Sequence, residues 1–268
     1  MRLRMPTSFL LALIFVTLSV SGFAGNAKDA RRLPISPEEV KSAARNLPLS
    51  SPQHHVLISR AGTSGFQRLA YEEYLRLKKQ HPNDFHANLL CGVAAKIYLD
   101  WLTHPDTRKG RPLSRSEIKL IFDVQNTART CLKKALEINP TSGIAHTEYG
   151  YYLFYRDGKQ DEGMRLLVKG ASLDKSNPRT HRLLGDVLSQ SGTKFYNLNK
   201  AQQELRKAIA LDASYAAPHY SLATLYTYLR RFEEANRELS VYLSLVPESA
   251  TSSEAVTSLR SELQKHLR

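Results

Sequence analysis

The sequence predicts an all-α protein in which helical hairpins stack into a solenoid. Three observations predict it: a recurring ladder of small and large residues, a turn residue where each ladder ends, and an amphipathic stretch after the last copy. The clearest ladder reads His219-x-x-Leu222-Ala223-x-x-Tyr226, then Ala235-x-x-x-Leu239, then Pro247. Small residues at those positions let two helix axes approach to roughly 8–10 Å, and large apolar residues one turn away fill the space left over. Proline then ends the second helix, because it has no N–H to donate and clashes with the preceding turn.

Taken in order, the first copy (51–84) is the weakest, with His54-x-x-Leu57, Ala70-x-x-x-Tyr74, Leu77 and Pro82. The second (85–142) opens on Asn88-x-x-Cys91-Gly92-x-x-Ala95 and closes on Ala128-x-x-x-Leu132, Ala135 and Pro140. The third (143–177) carries His146-x-x-Tyr149-Gly150-x-x-Leu153, Gly163-x-x-x-Leu167 and Gly170. In the fourth (178–215), His181-x-x-Leu184-Gly185-x-x-Leu188 precedes Ala201-x-x-x-Leu205 and Ala208, with Asp212-Ala213 in place of the proline. The ladder around Ala223 is the fifth (216–249). The second copy is about 24 residues too long, which lengthens both its helices and adds a loop within 103–116. Four extra residues centred on Ser191-Gly192-Thr193-Lys194 enlarge the fourth. From 250 to 268, Val256, Leu259, Leu263 and Leu267 recur at helical spacing and predict a helix that seals the last hairpin.

This ladder resembles the tetratricopeptide repeat, a helix–turn–helix of about 34 residues with the pattern W-x2-L-G-x2-Y…A-x3-F…P. The resemblance implies a right-handed solenoid of about five repeats, more than the three or so needed to bury a continuous core. It also implies a non-enzymatic docking surface, with the ligand in a concave groove lined by the first helix of each repeat. Carried onto this chain, the groove slots include Leu89, Val93 and Lys96 in the second copy, and Tyr151, Phe154 and Tyr155 in the third. Arg179 and Arg182 follow in the fourth copy, and Tyr220 and Tyr228 in the fifth. Tyrosine and arginine suit a peptide or helix partner, since they join large apolar area to a polar end. Relatives that grip a C-terminal carboxylate use Lys and Asn at slots filled here by Leu89 and Val93, so that mode is not supported.

The amino terminus belongs to targeting rather than to the fold. Arg2 and Arg4 precede an apolar run from Phe9 to Val20 and then Ser21-Gly22-Phe23-Ala24. That order predicts a signal peptide over 1–24 and a periplasmic or extracellular protein, of bacterial type by the resemblance. An uncleaved anchor is the alternative, but the run is shorter than the 20 or so apolar residues a bilayer span needs. Residues 25–50 read as a linker holding one short helix from Ser36 to Asn46, with Ser36 as cap and Pro37 at its first position.

Thirty-eight basic residues against 25 acidic give a net charge of +13, or +11 without Arg2 and Arg4. Such a charge favours anionic partners without dictating a fold. Its densest cluster is Arg108, Lys109, Arg111 and Arg115 in the insertion: either a solvated loop or a contact for an acidic protein, an anionic polymer or lipid headgroups. Export removes nucleic acid as a partner, and a monomer or weak oligomer is expected. Cys91 and Cys131 fall in the shared interior of one repeat and are either a disulfide or two small buried thiols.

No catalytic constellation emerges. Ser116…Lys119 and Ser172…Lys175 match S-x-x-K without the companion motifs that would give it meaning, and there is no G-x-S-x-G, phosphate loop or C-x-x-C. No cofactor or small-molecule substrate is implied. His54, His146, His181 and His219 share one slot of the repeat, the one tryptophan occupies in the pattern. Successive repeats place that slot on the order of 9–10 Å apart, too far for a zinc ion whose ligands sit near 2.1 Å. The expectation is half-buried histidines packed between repeats, with no metal.

Overall fold

The computed structural model describes residues 35–104, 111–246, 248–251 and 253–267, and all regular structure among them is helical. The expected signal peptide, Arg108 and Lys109 lie outside these residues. Helix α1 (Pro37–Asn46) leads into five antiparallel pairs: α2 (Gln53–Thr63) with α3 (Gln67–Gln80), α4 (Phe85–Thr103) with α5 (Arg115–Ile138), and α6 (Gly143–Tyr155) with α7 (Gln160–Leu173). Then come α8 (Pro178–Leu188) with α9 (Leu198–Leu211) and α10 (Ala216–Tyr228) with α11 (Phe232–Leu245). A short α12 (Glu248–Thr251) and α13 (Glu254–His266) close the stack.

The small residues of the ladder sit where the backbones of a pair meet. A Cβ on Gly150 would come within 2.7 Å of the Gly163 carbonyl oxygen, and one on Gly163 within 2.6 Å of the Gly150 carbonyl oxygen. Ala128, Ala201, Ala223 and Ala235 are fully buried at equivalent points. Around them runs an apolar core in two stretches, one from α1 to α6 and one from α6 to α13.

Three of the tight turns inside the pairs close in the same way. One residue takes a left-handed conformation, and the N–H just after it bonds back to a carbonyl of the preceding helix. Gly65 (φ +84°) precedes Phe66 N–H, bonded to the Ala61 carbonyl, and Gly158 (φ +66°) precedes Lys159 N–H, bonded to the Leu153 carbonyl. Glycine has no Cβ to clash there. In the fifth pair Arg230 holds that conformation (φ +59°), ahead of Arg231 N–H bonded to the Tyr226 carbonyl.

The histidines are more deeply buried than half: His54, His146, His181 and His219 are 0–6% exposed. Burial is tolerated because each ring reaches a partner. His54 Nδ1 meets the Tyr74 hydroxyl at 2.9 Å, His181 Nδ1 meets Glu204 at 2.6 Å, and His219 Nδ1 meets Glu238 at 2.7 Å. His146 Nδ1 lies 2.8 Å from the Ser142 carbonyl oxygen. Three of these pin the first helix of a pair to the second.

The insertion goes mostly into helix. α4 and α5 have 19 and 24 residues, whereas the paired helices elsewhere have 11 to 14. A capping box starts α5: Ser114 Oγ accepts from Glu117 N–H while the Glu117 carboxylate accepts from Ser114 N–H. Cys91 and Cys131 face each other in this pair as free, fully buried thiols. At the far end Val256 and Leu263 of α13 are buried against the last pair. No helix among the described residues is long and apolar enough to cross a membrane.

Candidate functional site

The first helices of four pairs, together with the end of α11, enclose a cleft of about 460 Å³. One wall is α2, through Pro52, His55, Val56, Ser59 and Arg60; the opposite wall is the start of α10 and the end of α11, through Tyr215, Ala217, Leu245 and Val246. Ile144 of α6, with Pro178 and Arg179 at the start of α8, forms the floor between them. Residues about 190 positions apart in sequence thus share one space, which only the curvature of the whole stack can bring about. The volume is that of a typical binding site, and the walls are mainly apolar.

Behind the floor lies a buried charge cluster. Glu148 of α6 is fully buried and holds Lys96 Nζ of α4 at 2.5 Å on one oxygen and Arg179 Nε of α8 on the other. Burial alone would raise its carboxyl pKa, but the Arg179 and Lys96 charges outweigh that and hold it well below the usual carboxylate range. Arg182 donates to Asp186 at 2.5 Å, and Asp186 also accepts from Ser221 Oγ of α10 at 2.7 Å. Four successive first helices are therefore tied together by ion pairs and hydrogen bonds rather than by apolar contact alone.

His55 Nδ1 in the cleft wall and Arg182 Nε behind its floor are buried without a hydrogen-bond partner. Burial, with the Arg179 charge acting second, pushes the His55 pKa down to about 4, so the ring is neutral at pH 7. Buried polar atoms in native proteins almost always have partners, so an orphan in a cleft wall is itself informative.

The expected groove residues are divided among different surroundings. Arg179 lines the cleft, and Tyr220 packs on Tyr242 of its rim with ring centroids 5.2 Å apart. Tyr151 and Tyr155 lie with ring centroids 4.6 Å apart, tilted by 47°, and, with Lys96, Asp100 and Arg156, line a second, more polar cavity of about 400 Å³. Two of the expected groove residues are almost wholly covered: Lys96 is 4% exposed, reaching only the edge of that second cavity, and Phe154 is 3% exposed. Lys96 is drawn inside by Glu148, and Phe154 packs against Phe195 in the core. Tyr228 is 63% exposed beside Tyr196, apart from the others. In the insertion, Arg111 pairs with Glu117 at 2.5 Å and Arg115 is exposed.

The reading from repeat slots missed His55 and Glu148. Glu148 left one signal, the lone carboxylate of a helix made mostly of apolar and aromatic residues. His55 left none, because its role depends on how far the stack bends. Among the described residues no group of His, Cys, Asp and Glu is arranged to hold a metal ion.

Comparison with known proteins bears on the fold. No family model matches the chain. Of solved structures, the Cut9–Hcn1 hetero-tetramer of the APC/C matches 86% of this chain and 41% of its own with a TM-score of 0.54 at 14% identity. TTC0263, a thermophilic TPR protein of Thermus thermophilus, matches over 79% of this chain and 95% of its own, with a TM-score of 0.51 at 17% identity. The chain folds as a tetratricopeptide-repeat solenoid. Among curated sequences, the TPR repeat-containing thioredoxin TTL4 of Arabidopsis thaliana is 34% identical over 116 residues, 43% of this chain. The matched stretch spans only 16% of that plant protein. The TPR solenoid here holds Cys91 and Cys131 as its only cysteines, with no C-x-x-C.

Proposed function

We propose that this TPR solenoid is a non-enzymatic interaction scaffold, exported by its amino-terminal leader, whose cleft holds an extended segment of a partner protein. The carrying observation is the apolar cleft of about 460 Å³ between the first and last pairs, open to solvent and floored by Arg179. Export rests on the basic, apolar and small-residue order of residues 1–24.

The test is affinity capture from envelope extract by the mature chain, residues 25–268, beside Val56→Glu. Val56 is 44% exposed in the cleft wall, so a charge there blocks the cleft without entering the core. A protein retained by the wild type and lost from a variant of unchanged helicity is expected. Equal retention by both would reject the cleft.

A second reading, docking on an anionic envelope polymer or lipid surface, has one observation behind it. The start of α5 carries exposed Phe122 (65%) and Ile118 (41%) beside exposed Arg115 and Lys119. That mode would weaken steeply with salt, whereas an apolar cleft would respond little.

A further inference from the structure

In the fourth and fifth pairs a histidine of the first helix reaches a glutamate of the second: His181 meets Glu204 at 2.6 Å, and His219 meets Glu238 at 2.7 Å. The elongated pair cannot make that bond. Asn88 stands in its histidine slot and turns back on its own end of α4, donating through Nδ2 to the Pro82 and Asp84 carbonyl oxygens. Cys131 stands three residues after Ala128, as Glu204 follows Ala201 and Glu238 follows Ala235. Facing it from α4 is Cys91. Resting on the export proposed above, we propose that Cys91 and Cys131 form a disulfide that staples α4 to α5 in the exported protein.

The two thiols are free in this structure and only 0% and 1% exposed. The backbones approach closely beside them. A Cβ on Gly92, the residue after Cys91, would come within 3.1 Å of the backbone nitrogen of Leu132, the residue after Cys131. A disulfide joins Cα atoms about 4.4–6.8 Å apart, whereas ordinary packed helix axes lie roughly 8–10 Å apart, so a pair drawn together at a glycine suits one. The thiols also hydrogen-bond to each other, and that bond, ahead of burial, pushes the Cys91 pKa up. Among the described residues no metal-ligand set competes for them.

Export delivers the chain to an oxidising compartment. One cysteine thiolate attacks a donor disulfide such as oxidised glutathione, giving a mixed disulfide and releasing one donor thiolate. The other cysteine thiolate attacks the cysteine sulfur of that mixed disulfide, which closes the Cys91–Cys131 bond and releases the second donor thiolate. Two electrons pass to the donor, and the two cysteine protons end on its two thiols. Burial puts the folded thiols out of a donor's reach, so the exchange precedes the docking of α5 on α4. The closed loop of about 40 residues contains the inserted segment, and a loop of that length takes much entropy from the unfolded chain.

The experiment refolds the reduced, denatured chain in mixed oxidised and reduced glutathione and reads its intact mass and tryptic map. The expected product is a monomer lighter by two hydrogen atoms, with the peptides that hold Cys91 and Cys131 linked. It should melt at least about 5 °C above the reduced chain, whereas Cys91→Ala/Cys131→Ala should melt alike with and without glutathione. Dithiothreitol should open the bridge only once denaturant is added. A refolded helical chain that keeps two free thiols, or carries only glutathione adducts or intermolecular links, overturns the inference. A bridged chain that melts no higher than the reduced one overturns the staple. Thiol alkylation of the chain made with its own leader in a bacterial host separates this inference from export: reduced thiols there, beside a bridge formed in glutathione, reject export while the site stands.

Discussion

Glu148 bears the sharpest expectation for a single residue. Its fully buried carboxylate bonds both Lys96 and Arg179, so Glu148→Gln leaves two cations sharing one neutral partner. Breaking one side of a buried ion pair costs about 3–5 kcal/mol, and chemical denaturation should show a loss of that order. Adding Lys96→Met should recover part of it. Arg230 makes the opposite case. It occupies the left-handed turn position that glycine fills in the first and third pairs, at φ +59°. Arg230→Gly should therefore be stabilising by up to about 1 kcal/mol despite losing a side chain, read as a rise in melting temperature. These two residues also mark what was legible at this scale. The close approaches of Gly150 and Gly163 follow from the ladder, since only small residues fit at that spacing. The histidine slots were legible too, but not their partners. Glu204 and Glu238 each lie three residues after the small residue of the second helix, a periodic carboxylate that the family pattern does not specify.

Among the elements, α13 and the elongated pair test the packing account. α13 covers the last hairpin with Val256 and Leu263, 2% and 1% exposed, and a terminal repeat without such a cover shows its apolar face to water. Leu263→Ala should destabilise by about 2–5 kcal/mol, and its loss should appear first as faster amide exchange in α10 and α11. The elongated pair was legible as an insertion that lengthens both helices and adds a loop, but not in how the surplus divides between the two. The surplus became helix because Ser114 and Glu117 provide a capping box and the apolar spacing of Val124, Ala128, Cys131 and Leu132 extends the buried stripe toward the amino end of α5. The turns before Val124 gain no such burial: Ile118, Leu120 and Phe122 are exposed.

The whole molecule adds what no single repeat holds. The fold class follows from counting ladders, but the cleft depends on the accumulated bend of five pairs, and the family pattern specifies only the contacts between neighbours. That is why Arg179 was anticipated in the groove while His55, on the facing wall, was not. Curvature also gives the solenoid a pH dependence with a defined sign. His55 faces Arg179, Glu148, His54 and His86 and stays neutral until about pH 4, whereas an unfolded chain takes up that proton near pH 6.5. The unfolded state therefore binds more protons in that interval, and stability should fall as pH drops from about 6.5 to about 4. Thermal melts across that range should show a shallower fall for His55→Gln than for the wild type. Hydrogen–deuterium exchange with and without the captured partner shows whether that partner lies between the first and last pairs. Added protection is expected in the segments 52–63, 215–217 and 242–246 together, because they are walls of one space. Protection confined to α3, α7 and α9, with those three segments unchanged, would contradict it.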